Sequence, residues 1–173
     1  MAHCDKHGEY TEQMIPGFNI MTKCPKCIEE IDKIEYEEGI RMAQEAERKR
    51  LESLNIEQMY FTSTLDNFIA GSPEQERAIS YAQAMVKDRA GKLVLLGSNG
   101  TGKTHLAVGI VRVLGGAIYS MYEITTRIRA SYVSGAKETE LQIVDELSRL
   151  PMLAIDEIGR TKGSDAETNW LSY

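Results

Sequence analysis

Three short, continuous apolar runs punctuate the chain after residue 90. Such runs are typical of strands in a parallel sheet, because helices cover both faces of the strand. They lie at residues 93–96, 117–120 and 152–155. Segments of helical composition separate them, at residues 103–114, 122–133 and 138–150. The alternation predicts an α/β fold, a parallel sheet with flanking helices.

Two more helices are predicted before the first apolar run. Residues 28–56 contain no proline, one glycine and many Glu, Arg, Lys and Ala, which is helical composition. The short isoleucine stripe of this segment fades into glutamates, which favours a solvated or partner-binding helix over a coiled coil. The second helix is predicted from Ser72, an N-cap residue followed by proline, to about Ala90.

A glycine-rich segment between the first run and the next helix matches the phosphate-binding motif G-x-x-x-x-G-K-[ST]. Its residues are Gly97, Ser98, Asn99, Gly100, Thr101, Gly102, Lys103 and Thr104. The glycines let the backbone N–H groups turn inward around an anion, and the helix that follows points its positive end at the phosphates. Lys103 is predicted to reach the β- and γ-phosphates, and the Thr104 hydroxyl to coordinate Mg²⁺.

Two acids end the third apolar run. Because strand ends in an α/β sheet meet at the ligand edge, Asp156 is predicted to hold Mg²⁺ and Glu157 to activate the attacking water. An acid pair of this kind is also found at the start of solvated loops. The chain has no Asn-Lys-x-Asp motif for reading guanine, so ATP is the expected nucleotide.

All three cysteines lie within the first 27 residues. Cys4-x-x-His7 and Cys24-x-x-Cys27 have the close spacing that zinc prefers, and four such ligands complete a structural tetrahedral site. His3 is an alternative ligand to His7. Reduced cysteines with incidental histidines, or a redox Cys-x-x-Cys, are the other interpretations.

The net charge of −6 argues against binding nucleic acid through bulk charge, so any such contact has to be local. Arg127 and Arg129, on a predicted helix, are candidates for touching DNA, although a solvated helix face has the same pattern. The sequence shows neither a long apolar span nor a secretory leader, so a cytoplasmic protein without a membrane segment is expected.

Several of these segments resemble a known family. Residues 60–68, the phosphate loop with its following His-Leu-Ala, and Asp-Glu-Ile-Gly at 156–159 are similar to the DnaC-type replicative helicase loaders. These AAA+ ATPases are related to the IstB-type transposition helpers, and the resemblance covers roughly residues 58–173. It implies an AAA+ P-loop fold, ATP hydrolysis, self-association through the ATPase domain, contact with single-stranded DNA, and an N-terminal arm that grips a DnaB-like replicative helicase.

The resemblance also implies a fourth strand, between the phosphate-loop strand and the carboxylate strand, with a sensor residue. An arginine finger and a second sensor come after it in that family. The chain ends at Tyr173, before these features, so we expect a fragment or truncated form that turns over ATP slowly.

The sequence therefore predicts three parts: a zinc-binding module at 1–27, a charged, partner-binding helix or linker at 28–56, and the N-terminal portion of an AAA+ ATPase domain at 57–173. The predicted function is ATP-dependent loading of a replicative DNA helicase, with ATP, Mg²⁺ and structural Zn²⁺ as cofactors. An ATP-dependent transposition helper and a non-hydrolysing adaptor are the alternatives.

Overall fold

The computed structural model of the chain describes residues 1–15, 17 and 21–158. It divides into two compact units, Met1–Arg48 and Lys49–Tyr173. The first unit opens with a hairpin that the sequence did not predict. Strands β1 (Ala2–Cys4) and β2 (Gly8–Tyr10) pair antiparallel, with Cys4 opposite Gly8.

Helix α1 (Pro25–Ser53) begins and ends within three residues of the predicted segment. It spans the division between the units. Most of its surface is exposed, because the helix carries charged residues on all sides. Only its last turns carry a buried residue, Leu51. Among the described helices, none has both the length and the apolar character that crossing a bilayer requires.

The second unit has the predicted order of helices and strands, with one exception. A short 3-10 turn (Gln58–Tyr60) leads to the elements α2 (Pro73–Asp88), α3 (Lys103–Leu114), β3 (Ala117–Ser120), α4 (Met121–Ser131), α5 (Glu140–Ser148) and β4 (Leu153–Asp156). The strands β3 and β4 pair in parallel, with Ser120 opposite Asp156. The α/β fold with a parallel sheet is thus confirmed.

The exception is the apolar run at residues 93–96, which was predicted to be a buried strand. It forms no strand, and Val94 and Leu96 are 75% and 89% exposed. A strand requires a neighbour that satisfies its backbone N–H and C=O groups. Within residues 1–15, 17 and 21–158, β3 and β4 pair only with each other, so the run lacks such a neighbour.

Helix α3 is the centre of the second unit because it is buried on two sides. Val108 and Val111 join the first core cluster, together with Leu51 and Ile118. The opposite side of the helix contributes to the second core cluster, which consists of Leu65, Ala82, Leu106, Ile110 and Leu114. A helix with apolar residues on both sides has to lie inside the fold, and this fixes the position of its N-terminus.

Helices α4 and α5 pack through a third cluster, formed by Ile128, Ile143 and Leu147. Each helix begins with a capping box. The N-cap hydroxyl accepts a hydrogen bond from the backbone N–H of the third helical residue, and the side chain of that residue accepts one from the backbone N–H of the N-cap. The N-caps are Ser120 and Thr139. Capping at Ser120 ends β3 and starts α4 without an intervening loop.

Candidate nucleotide and metal sites

The phosphate loop bends tightly and leads directly into α3. Gly100 and Gly102 have φ of 78° and 87°, in the left-handed region that favours glycine. Gly102 is the N-cap, so Lys103 is the first helical residue. The N–H groups in the first turn of a helix have no partner within the helix, and they carry the positive end of its dipole. The loop therefore presents the arrangement that binds phosphate.

Lys103 lies against the loop that it follows. Its Nζ donates to the carbonyl oxygens of Gly97 at 3.0 Å and Ser98 at 2.8 Å. The Thr101 hydroxyl also donates to the Ser98 carbonyl, at 2.9 Å. A phosphate oxygen is a stronger acceptor for an ammonium group than a carbonyl oxygen is, so an entering nucleotide can replace these bonds.

The structure brings together Thr104 and Asp156, which are 52 positions apart in sequence. The Thr104 hydroxyl donates to the Asp156 carboxylate at 2.5 Å. Thr104 lies in the first turn of α3, and Asp156 ends β4. A hydroxyl and a carboxylate oxygen are ligands that Mg²⁺ accepts, usually alongside water and the nucleotide phosphates. The pair is therefore suited to hold the metal of a bound nucleotide.

Glu157 has an unusual backbone conformation for its residue type. Its φ is 56°, and its N–H donates to the Asp156 carboxylate at 2.7 Å. Left-handed backbone in a residue other than glycine costs free energy and occurs often at functional sites. The chain turns sharply immediately after Asp156, where β4 ends.

A preceding loop, residues 62–68, forms a wall beside the phosphate loop. Thr64 and Asn67 form two hydrogen bonds with each other. The Thr64 N–H donates to Asn67 Oδ1 at 2.9 Å, and the Asn67 N–H donates to Thr64 Oγ1 at 3.2 Å. His105 Nε2 lies 2.8 Å from the Thr64 carbonyl oxygen. The Phe68 ring meets the His105 ring edge-on at 5.3 Å. A Cβ atom added to Gly102 would lie 2.5 Å from Phe68, so the two segments are in close contact.

A depression of about 290 Å³ lies between this wall and the phosphate loop. Ile69 and Gln75 line it, and Gln75 Nε2 donates to the Thr101 carbonyl at 3.2 Å. Tyr60 and Phe61 immediately precede this wall. Both pack against the first core cluster. The rings that line the depression belong to Phe68 and His105, and no pattern in the sequence distinguished Phe68.

In the first unit, the structure gathers Cys4, His7, Cys24 and Cys27. Their ligand atoms all lie within 4.8 Å of one another, and the three cysteines are free thiols. Cys4 ends β1 and His7 lies in the turn that follows, whereas Cys24 immediately precedes α1 and Cys27 lies in its first turn. His3 is not a member of the cluster.

The spacing of these atoms fits a tetrahedral zinc ion. With ordinary Zn–S and Zn–N bonds, two sulfurs lie about 3.8 Å apart and a sulfur and a nitrogen about 3.5 Å apart. The Sγ atoms of Cys4 and Cys27 are 3.5 Å apart. His7 Nδ1 lies 3.3 Å from the Cys27 sulfur and 3.7 Å from each of the other two sulfurs, those of Cys4 and Cys24. The cluster could therefore bind zinc.

Two of the clustered thiols, those of Cys4 and Cys27, have pKa values shifted in opposite directions. Hydrogen bonds from the backbone N–H groups of Lys6 and His7 lower the pKa of Cys4 to about 6. The neighbouring Cys27 thiol shares a hydrogen bond with Cys4, which raises the pKa of Cys27 to about 11. Zinc binds thiolates, so zinc binding at this cluster would release thiol protons and would be favoured by rising pH.

The predicted DNA contacts lie on α4. The Arg127 guanidinium binds Glu138 at 2.6 and 2.7 Å and also pairs with Glu146 on α5. These carboxylates raise the pKa of Arg127, and the arginine in turn lowers the pKa of both acids. Such an arrangement favours a role in joining α4 to α5. DNA contact through Arg127 and Arg129 stays a prediction.

Comparison with known proteins gives two findings. The profile of a family described as IstB-like ATP binding protein matches residues 28–172. A protein described as replicative helicase loader DnaC, from Buchnera aphidicola subsp. Baizongia pistaciae, is 26% identical over 113 residues. That similarity covers 60% of this chain and 46% of the relative, so the chain matches about half the length of that protein.

Proposed function

This chain belongs to the family of IstB-like ATP binding proteins, and from that premise we propose that it binds and hydrolyses MgATP to load a replicative DNA helicase. Family membership supports a general ATPase role and agrees with the resemblance found in the sequence. The hydrogen bond between Thr104 and Asp156 carries the ATPase part of the proposal, because it joins the two motifs at one place. Similarity to a helicase loader supports the specific task.

The motifs and the geometry of the site support the following chemistry. The loop N–H groups and Lys103 bind the β- and γ-phosphates, and Thr104 and Asp156 hold the magnesium ion. The ion, when bound, offsets charge that develops on the phosphate oxygens. Glu157, next to Asp156 at the end of β4, orients the attacking water and accepts its proton. Phe68 and Ile69 border the depression next to the loop, where the rest of the nucleotide can lie.

Two variants separate nucleotide binding from hydrolysis. Lys103→Ala removes charge-assisted bonds worth about 1.5–3 kcal/mol, so the Kd for MgATP should rise by about tenfold or more. Glu157→Gln should bind MgATP as tightly as the unaltered chain and lose turnover. Binding is measured with a fluorescent ATP analogue, and turnover by phosphate release. Unchanged affinity in Lys103→Ala, or unchanged turnover in Glu157→Gln, would contradict the assigned roles.

We further propose that Cys4, His7, Cys24 and Cys27 bind a structural zinc ion, and that this module and α1 form the arm that binds the helicase. The first unit has few buried side chains in its described part, so metal bonds can supply much of its folding free energy. The exposed, charged surface of α1 is suited to a protein partner. Metal analysis of the purified chain should give one zinc per chain. A metal-free chain with an intact hairpin would refute this part of the proposal.

The partner is tested by size-exclusion chromatography with a DnaB-like helicase, with and without MgATP. Co-elution that is lost after deletion of residues 1–48 would support the loader. Binding to DNA and a transposase, without helicase binding, would favour the transposition helper. Helicase binding without measurable ATP turnover would favour the non-hydrolysing adaptor. Self-association of the second unit and contact with single-stranded DNA are measured in the same preparations.

A further inference from the structure

We propose that Glu30 is a positioning residue of the metal site, which fixes the tautomer and the orientation of His7. Glu30 was not among the predicted ligands, and it does not belong to the group of four ligand atoms. The inference rests on the zinc site proposed above. It adds a fifth residue to that site, one that acts through His7 and does not touch the metal.

The two ring nitrogens of His7 face different surroundings. Nδ1 lies 3.3 Å from the nearest cysteine sulfur, whereas Nε2 lies 3.1 Å from Glu30 Oε1. A neutral imidazole carries a single proton, and its metal-binding nitrogen has to be without one. A carboxylate can only accept, so it selects the tautomer in which Nε2 holds the proton. That tautomer leaves Nδ1 free to bind the metal among the three sulfurs.

Glu30 is itself held in place. Its second oxygen, Oε2, accepts from Lys6 Nζ at 2.5 Å. Lys6 lies in the turn between β1 and β2, and Glu30 lies in the second turn of α1. The carboxylate therefore bridges the two segments that carry the ligand pairs. The His7 side chain is 14% exposed and that of Glu30 is 44% exposed, so the hydrogen bond is partly shielded from water.

Partners of this kind affect metal binding measurably. A carboxylate on the outer nitrogen of a ligating histidine fixes the ring and raises its basicity, and its loss costs about 10–100-fold in metal affinity. We expect a loss of this size for Glu30→Ala. Glu30→Gln keeps an acceptor oxygen and should recover part of the loss. Lys6→Ala keeps the contact between His7 and Glu30 and should lose less than Glu30→Ala.

The test is a competition titration of zinc against a chromophoric chelator, with the full chain and each variant. Glu29→Ala is the matched control, because Glu29 is the adjacent exposed acid on the same helix. Its affinity should equal that of the unaltered chain. Equal affinities of Glu30→Ala and Glu29→Ala would overturn the proposal, as would Glu30→Gln binding as weakly as Glu30→Ala.

A second measurement reports the tautomer directly. In ¹⁵N-labelled, zinc-loaded chain, long-range ¹H–¹⁵N spectra should show His7 protonated at Nε2 and metal-bound at Nδ1. Metal bound at Nε2 would overturn the proposal whatever the affinities are. If the unaltered chain takes up no zinc, the zinc site itself fails. If it takes up zinc but Glu30→Ala has no effect, only the role of Glu30 fails.

Discussion

The contact between Gly102 and Phe68 allows a sharp test of how the nucleotide site is built. Gly102→Ala adds a Cβ atom 2.5 Å from Phe68 Cε2 and 3.1 Å from Phe68 Cζ. Real Cβ atoms do not approach carbon atoms so closely, so the ring has to move. Phe68 packs against the second core cluster and contacts the His105 ring, and both contacts oppose the movement.

Two costs add in this variant. A left-handed residue other than glycine costs about 1–2 kcal/mol, and overpacking a filled contact costs about 1–3 kcal/mol. We therefore expect Gly102→Ala to lower the free energy of unfolding by about 2–5 kcal/mol. Such a loss is a large fraction of the stability of a typical domain.

Gly100→Ala is the matched control for the backbone term. Gly100 has a similar φ, 78° against 87°, but a Cβ atom there would meet nothing within 4 Å. It should lose only the left-handed cost of about 1–2 kcal/mol. Urea unfolding followed by circular dichroism, without nucleotide, gives the free energies of both variants and of the unaltered chain.

A smaller side chain at position 68 should relieve the steric part. The combination of Gly102→Ala with Phe68→Leu should therefore lose less stability than the sum of the two single changes. Equal losses for Gly102→Ala and Gly100→Ala would show that the contact with the Phe68 ring contributes nothing, contrary to this prediction. If the loss of stability in the double variant equalled the sum of the two single losses, that result would also show no steric contribution from the ring.

Arg127→Ala should lower the thermal midpoint at pH 7. Because Arg127 lowers the pKa of Glu138 and Glu146, this stabilisation is present above their unfolded-state pKa of about 4.3 and should be lost as the pH falls through their lower folded-state pKa. If the thermal midpoints of Arg127→Ala and the unaltered chain differed as much at acidic pH as at pH 7, this prediction would be contradicted. Ile143→Ala should cost about 2–5 kcal/mol, whereas Val144→Ala, 41% exposed in the same helix, should cost under about 1 kcal/mol, by urea unfolding. Chelation of zinc should reduce the circular dichroism signal of the first unit, and an unaltered spectrum after complete metal removal would count against a structural metal.

The sequence predicted most of the elements of the second unit because their signals are local. Helix α3 has the predicted bounds, and so has β3. The N-cap at Ser72 is present, since its hydroxyl accepts from the Gln75 N–H. Each of these features depends on residues within one or two turns of each other, where propensity and capping act.

Residues 93–96 show where that reasoning fails. Their apolar run has the composition of a buried strand, yet strand formation depends on a hydrogen-bonding neighbour that composition does not reveal. The short hairpin of the first unit was missed because its strands have partners but no pattern in the sequence that indicates them. With only three residues in each strand, β1 and β2 are too short to show an alternating pattern.

In the candidate sites, too, local features could be predicted from the sequence and distant contacts could not. Motif spacing predicted the phosphate loop, the acids and the cysteine pairs, because the proposed chemistry requires those residue types close together in sequence. Phe68 and Glu30 were not predicted, since each contacts a residue far along the chain. Glu30 lies 23 positions from His7, on a helix with many other glutamates, so no periodic or compositional signal separates it from its neighbours.

The hydrogen bond between Thr104 and Asp156 joins two residues that were each predicted from a local motif, although they are far apart in sequence. Each residue was assigned from its own motif, and their proximity was expected only because parallel strands deliver their carboxyl ends to one edge of a sheet. β4 pairs with β3, and α3 packs on both strands, so the edge is built without a paired strand at residues 93–96. The oxygen atoms that would hold magnesium are therefore positioned by α3 and β4. It follows that changes to the packing of α3 should disturb metal-dependent nucleotide binding more than changes to the exposed Val94 or Leu96.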